Sequence, residues 1–148
     1  MKWLLDTNVV SEGVRKQPNS RVVNWIAAEP TSDTAISIVT LAELREGAST
    51  VQEEAKRDRF AKWIDTEIVD TFGNRTLPLT TEILIAWLDL SRKLRARGRT
   101  RDPADLLIAA TARVHNLTLV TRNSRHFAST GVVVYDPWNN ETRRTEPA

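Results

Sequence analysis

The residues able to do chemistry in this chain are acids placed where an apolar segment gives way to a helical one. Asp6 follows Trp3-Leu4-Leu5 and precedes Thr7-Asn8. Open α/β sheets bind ligands just past the carboxyl ends of their strands, which is where Asp6 would stand. The same position suits the cap of a following helix. Glu43 lies in Ser37-Ile-Val-Thr-Leu-Ala-Glu43, where Thr40 and Glu43 have capping-box spacing. A Glu there also lies at the carboxyl edge of a second strand, within aim of Asp6. Asp102-Pro103-Ala104-Asp105 repeats the choice. Asp102 is a natural cap, Pro103 suits the first helical position, and Asp105 falls in the first turn, where the helix dipole favours negative charge. Capping accounts well for Asp102. Asp105 leads Leu106-Leu-Ile-Ala-Ala110, which should be buried, so its carboxylate needs partners, and a metal is one candidate.

Converging carboxylates repel one another unless a cation is present. Hard oxygen ligands suit Mg²⁺ or Mn²⁺ rather than zinc. Such an ion activates water and stabilises charge on a phosphodiester during in-line displacement. Asp6, Glu43 and Asp105 therefore form a candidate metal-dependent centre for phosphodiester hydrolysis. Two other readings stay open. In one, the acids only cap helices and the protein is a dimeric binding or regulatory module. In the other, Asp6 is the nucleophile of an aspartyl-phosphate phosphatase, although Asn8 stands where that chemistry wants a second acid.

The elements that would position these acids alternate along the chain. Strands are expected at Lys2 to Leu5, Thr34 to Val39, Arg75 to Leu79, Thr118 to Thr121 and Val132 to Tyr135. Helical patterns run over Arg21 to Ala28, Leu41 to Ala48, Gln52 to Asp65, Ile83 to Arg97 and Pro103 to His115. Alternation of this kind predicts one α/β domain, residues 1–138, with a mainly parallel sheet flanked by helices. The polar segment 139–148 is expected to be a frayed tail.

With 148 residues and 41% hydrophobic content the chain can bury a single core. No run approaches the ~20 apolar residues that span a bilayer. The absence of cysteine excludes disulfides and zinc–thiolate sites and suits a reducing cytoplasm. Net charge is +2, but Arg92, Lys93, Arg95, Arg97, Arg99 and Arg101 crowd one stretch. They form either a solvated helix end or a patch that contacts phosphates. Trp87 falls on the apolar face of its helix. Trp25, Trp63 and Trp138 lack the patterned cations that would argue for base stacking.

Ordered motifs then become recognisable. Leu4-Leu-Asp-Thr-Asn-Val-Val-Ser-Glu12, Ser37-Ile-Val-Thr-Leu-Ala-Glu-Leu-Arg-Glu-Gly47, Asp105-Leu-Leu-Ile-Ala-Ala-Thr-Ala112 and Leu119-Val-Thr-Arg-Asn123 resemble PIN-domain proteins, in particular the VapC toxins of bacterial toxin–antitoxin pairs. Phe72-Gly-Asn-Arg75, Leu77-Pro-Leu79 and Tyr135-Asp-Pro-Trp138 resemble the FitB-like branch. The resemblance implies a three-layer PIN fold and a Mg²⁺- or Mn²⁺-dependent endoribonuclease. It further implies a homodimer, inhibition by a cognate VapB- or FitA-like antitoxin, and a higher assembly with that antitoxin on DNA. Asp6 and Asp105 match the family's metal-binding acids and Glu43 the third acid. Thr7 and Thr121 match hydroxyls that bond to the cluster, and Asp102 lies one turn away. Where the family often places a fourth acid, this chain has Asn123 and, three residues on, His126, which points to one strongly held ion. Arg92, Arg95 and Arg99 become candidate contacts to RNA or antitoxin.

Overall fold

The computed structural model describes residues 1–147. Its centre is a six-stranded sheet in the order β3-β2-β1-β4-β5-β6. The strands are β1 (Trp3–Leu5), β2 (Thr34–Ser37), β3 (Thr76–Leu77), β4 (Thr118–Val120), β5 (Val133–Asp136) and β6 (Glu141–Arg144). All neighbours pair in parallel except β5 and β6. The helices are α1 (Thr7–Glu12), α2 (Ser20–Ala28), α3 (Ile38–Ser49), α4 (Glu54–Trp63), α5 (Val69–Phe72), α6 (Thr81–Ala96) and α7 (Pro103–Val114). A π-helical turn, Ile64–Ile68, joins α4 to α5.

Alternation along the strands sorts apolar side chains onto two faces. Leu4, Ala35 and Leu119 point into one core with Leu90, Leu94, Ile108 and Phe127. Leu5, Ile36 and Val120 point into the other with Val9, Val22, Leu44 and Ile64. Both faces are covered, as a parallel sheet requires. The chain leaves β1 for β2 on one side and returns to β4 on the other. That reversal opens a crevice at the carboxyl ends of β1 and β4.

Several expected boundaries move for identifiable reasons. The second strand stops at Ser37 rather than Val39, because the Ser37 hydroxyl accepts from Val39 N at 3.1 Å and starts α3 there. Thr40 is therefore inside the helix and does not cap it. The helix expected to end at Asp65 runs on to Phe72, since Ile64, Ile68 and Phe72 recur at helical spacing and are buried. The expected frayed tail instead carries β6, paired antiparallel to β5 from Asp136↔Glu141 to Val133↔Arg144. An edge strand needs no apolar face, and its charges discourage further pairing. Beyond it, Thr130 bridges Pro147, and Ala148 lies outside the described residues. Among the described residues no helix is long and apolar enough to cross a membrane.

Candidate active site

The crevice at the ends of β1 and β4 holds the acids. Asp6 is the first residue after β1, and its backbone N–H donates to the carbonyl of Val120 in β4 at 2.9 Å. Its side chain caps α1, accepting from Thr7 N at 2.8 Å. The other oxygen accepts from Thr121 Oγ1 at 2.7 Å and from Asn8 Nδ2 at 3.4 Å. Capping and presentation to the crevice are thus compatible, because each uses a different face of one carboxylate. Asp6 is only 6% exposed, and burial raises its pKa above the ordinary value. The Thr121 and Thr7 hydrogen bonds offset part of that rise.

Glu43 sits well inside α3 and has no capping role, because that helix begins at Ile38. Its Oε1 accepts from the Thr7 hydroxyl at 2.9 Å, so Thr7 ties Glu43 to the end of β1. Burial raises its pKa, the Thr7 bond opposes the rise, and the charges of Asp6, Asp105 and Asp102 add to it. Asp105 enters from the first turn of α7. Burial and then Asp6 raise its pKa, while His126 lowers it. His126 Nδ1 lies 3.3 Å from Asp105 Oδ2. Each of the three acids is thus held above its usual range, and negative charges from different elements contribute to two of those shifts. Like charges drawn together in a partly dry crevice are a device for attracting a cation.

Asp102 does what its place before Pro103 predicts. Its Oδ1 accepts from Ala104 N at 2.8 Å and from Asp105 N at 3.4 Å, fixing the turn that aims Asp105. Thr121 is fully buried and accepts from Asn123 N at 3.1 Å. Asn123 itself is exposed at the mouth of the crevice. The basic stretch is not brought to the acids as a block. Arg92 and Lys93 pair with Asp89 one turn earlier on α6, at 2.6 and 3.0 Å. Arg95, Arg99 and Arg101 line a separate crevice of about 170 Å³ beside Trp87. Trp25 packs with Trp3 and Tyr135, and Trp138 is buried.

Asn8 emerges as a brace that sequence reasoning passed over. Its Nδ2 reaches both Asp6 and Thr121, and its Oδ1 accepts from Arg122 N at 3.2 Å. It therefore stitches the end of β1 to the end of β4. The signal was the Asp-Thr-Asn tripeptide directly after a strand. His126, which stands where the family pattern often offers an acid, is likewise adjacent to the cluster.

Among the described residues no three His, Asp or Glu side chains form a ready-made metal cage. The donor chemistry nevertheless fits a hard divalent ion. Among the described residues, Asp6 and Glu43 accept hydrogen bonds only from neutral donors, Asp105 meets only the His126 ring, the nearby hydroxyls of Thr7 and Thr121 already spend their protons on carboxylates, and no thiolate is present.

Comparison with known proteins agrees with this architecture. The chain matches the PIN domain over residues 3–133. It is 35% identical over 137 residues to toxin FitB of Neisseria gonorrhoeae, covering 93% of this chain and 99% of that one. It is 31% identical over 135 residues to a VapC ribonuclease of Sinorhizobium fredii, covering 91% and 96%. It superposes on a solved structure of FitAB bound to a DNA fragment with a TM-score of 0.87 and 34% identity, covering 94% and 97%. A parallel sheet with acids gathered at its switch point, together with this extent of likeness, places the chain in the PIN-domain family.

Proposed function

We propose that the protein is a divalent-metal-dependent endoribonuclease and the toxin of a type II toxin–antitoxin pair. The observation that carries the reading is the gathering of Asp6, Glu43 and Asp105, each with a raised pKa, at the carboxyl edge of β1 and its neighbours. Asp6 and Asp105 would hold Mg²⁺ or Mn²⁺, and Glu43 would orient the ion or its water. When bound, the ion supplies an activated nucleophile and neutralises charge developing on the phosphodiester. Thr121 and Thr7 keep the carboxylates in place through their hydrogen bonds, and Asn8 holds the two strand ends together. Asn123 offers a neutral amide at the mouth, which favours one tightly held ion over two.

RNA is the substrate because the relatives include a protein named as a ribonuclease over almost the same length. A cognate antitoxin and a higher assembly with it on DNA follow from the likeness to FitB and to FitAB on DNA. Exposed Leu84, Ile85 and Leu88 on α6 offer an apolar strip for a homodimer. The setting is the cytoplasm, where such RNA is present. The phosphatase reading has no support in the site, since Asn8 is committed to bracing and cannot serve as an acid.

The test is RNA cleavage by the purified chain with Mg²⁺ or Mn²⁺, after chelation, and with Asp6→Asn. Cleavage that needs the ion and disappears in Asp6→Asn is expected. Full activity of Asp6→Asn would overturn the assignment.

A further inference from the structure

Two clefts open beside the acid cluster and share a wall. The first, about 300 Å³, begins at Asn123 and His126 and is lined by Arg122, Arg125 and Arg143. The second, about 320 Å³, continues from Arg125 and Arg143 to Arg144 and Ser129. Their common wall is the 3₁₀ turn Ser124–Phe127 on one side and β6 on the other. His126, at the head of the first cleft, touches Asp105. The channel therefore adjoins the site through His126, and its outer wall is the strand formed by the polar C-terminal segment.

Across the two clefts four arginines, Arg122, Arg125, Arg143 and Arg144, stand against three acids, Asp136, Glu141 and Glu146, so the balance is positive. Asp136, one of two acids in the first cleft, accepts from Trp138 N at 2.8 Å, Asn139 N at 3.3 Å and Asn139 Nδ2 at 2.9 Å, so its oxygens are occupied within its own turn. Glu141 pairs with Arg143 at 3.0 Å on an exposed surface, a contact worth little to either partner. Arg122 lies with its guanidinium 5.5 Å from the Trp138 ring centroid, which holds it at the cleft wall. Arg99 reaches the far end through a hydrogen bond to Ser129. That bond joins one member of the basic stretch to the channel.

We propose that these two clefts form a track for the sugar–phosphate backbone of single-stranded RNA flanking the scissile bond. The assignment rests on the ribonuclease reading for its substrate, but its geometry stands apart from the acids. Guanidinium and hydroxyl groups suit phosphates and ribose. A peptide partner wants an apolar anchor pocket, and Ala128 is the only apolar side chain lining either cleft among the described residues. A third cleft, about 390 Å³, differs in setting Val14, Phe60 and Trp63 among Lys16, Lys56, Arg59 and Glu53.

The experiment uses the full chain carrying Asp6→Asn, so that RNA stays intact. Its probe is a fluorescein-labelled single-stranded RNA of about 12 nucleotides, followed by anisotropy across a salt series. Adding Arg125→Ala and Arg143→Ala should weaken binding roughly tenfold at low salt and flatten the log–log salt slope by about 0.7 for each phosphate no longer neutralised. Lys62→Ala, which removes positive charge outside both clefts, should change neither. In the cleaving protein the arginine variants should raise KM with kcat retained. Unchanged RNA affinity and slope would overturn the track, as would an equal loss from Lys62→Ala. Intact RNA affinity with lost retention of co-expressed antitoxin would assign the clefts to a protein partner instead. Arginine-dependent RNA binding in a chain that never cuts RNA would sustain the track while removing the ribonuclease reading.

Discussion

Asp6 and Glu12 bracket the same short helix, and both are almost fully buried, at 6% and 3% exposure. Their surroundings are opposite. Glu12 accepts from Asn19 N at 3.0 Å and meets Arg15 at 3.3 Å, so its charge is answered within the chain. Asp6 is answered only by neutral donors and by the distant influence of His126, while it raises the pKa values of Glu43 and Asp105. A buried acid whose needs are met locally holds the fold together. One left with surplus negative potential is set to receive something from outside.

The largest expected effect separates the two directly. Asp6→Asn should lower RNA cleavage by at least about a hundredfold, the upper scale seen when the support of a reactive ion is disturbed, while Glu12→Gln leaves turnover per folded molecule unchanged. Equal losses in both would erase the distinction. Next in size is Thr121→Val, which removes the hydroxyl that donates to Asp6 and accepts from Asn8 and Asn123. Loss of such a supporting group should cost about 10- to 100-fold in activity or metal affinity. A KM change alone would place Thr121 outside the support of the acids.

Glu12→Ala tests the other side. Stranding Asn19 N and emptying a buried position should cost roughly 1–3 kcal/mol, read by denaturant unfolding, with the activity of the folded fraction intact. The smallest effect carries the most diagnostic sign. Between the ordinary carboxylate value and its raised value, folded Asp105 keeps a proton that the unfolded chain has released. Stability therefore falls as pH rises through that window and stays lower above it. Asp105→Asn should raise the melting temperature of metal-free protein at neutral pH, and the gain should shrink as pH falls into the ordinary carboxylate range. A lowered melting temperature at neutral pH would mean that Asp105 is a structural acid like Glu12.

Much of this was legible before the fold. Leu4 and Leu5, or Leu119 and Val120, are apolar in succession because a strand buried on both faces must be apolar at both, and the strand-to-acid order of Asp6 follows from that. Asp102 and Pro103 announced their helix start through local capping chemistry. The errors arose where tertiary context outranks local pattern. Thr40 and Glu43 imitate a capping box, yet Ser37 starts the helix first, which frees Glu43 for the crevice. The segment Glu141–Arg144 carries no apolar signal because an exposed edge strand needs only its backbone and a partner. The convergence of Asp6, Glu43 and Asp105 depends on the sheet order, which spacing along the chain cannot express. The resemblance to PIN-domain proteins supplied it.

The central claim is that these acids together receive a divalent ion, and calorimetric titration of Mn²⁺ into the purified protein tests it most directly. Binding to the unsubstituted chain and to Glu12→Gln, with loss in Asp6→Asn and in Asp105→Asn, is the predicted result. Mn²⁺ heat that is absent from the unsubstituted chain, or that persists undiminished in both Asp variants, would contradict it.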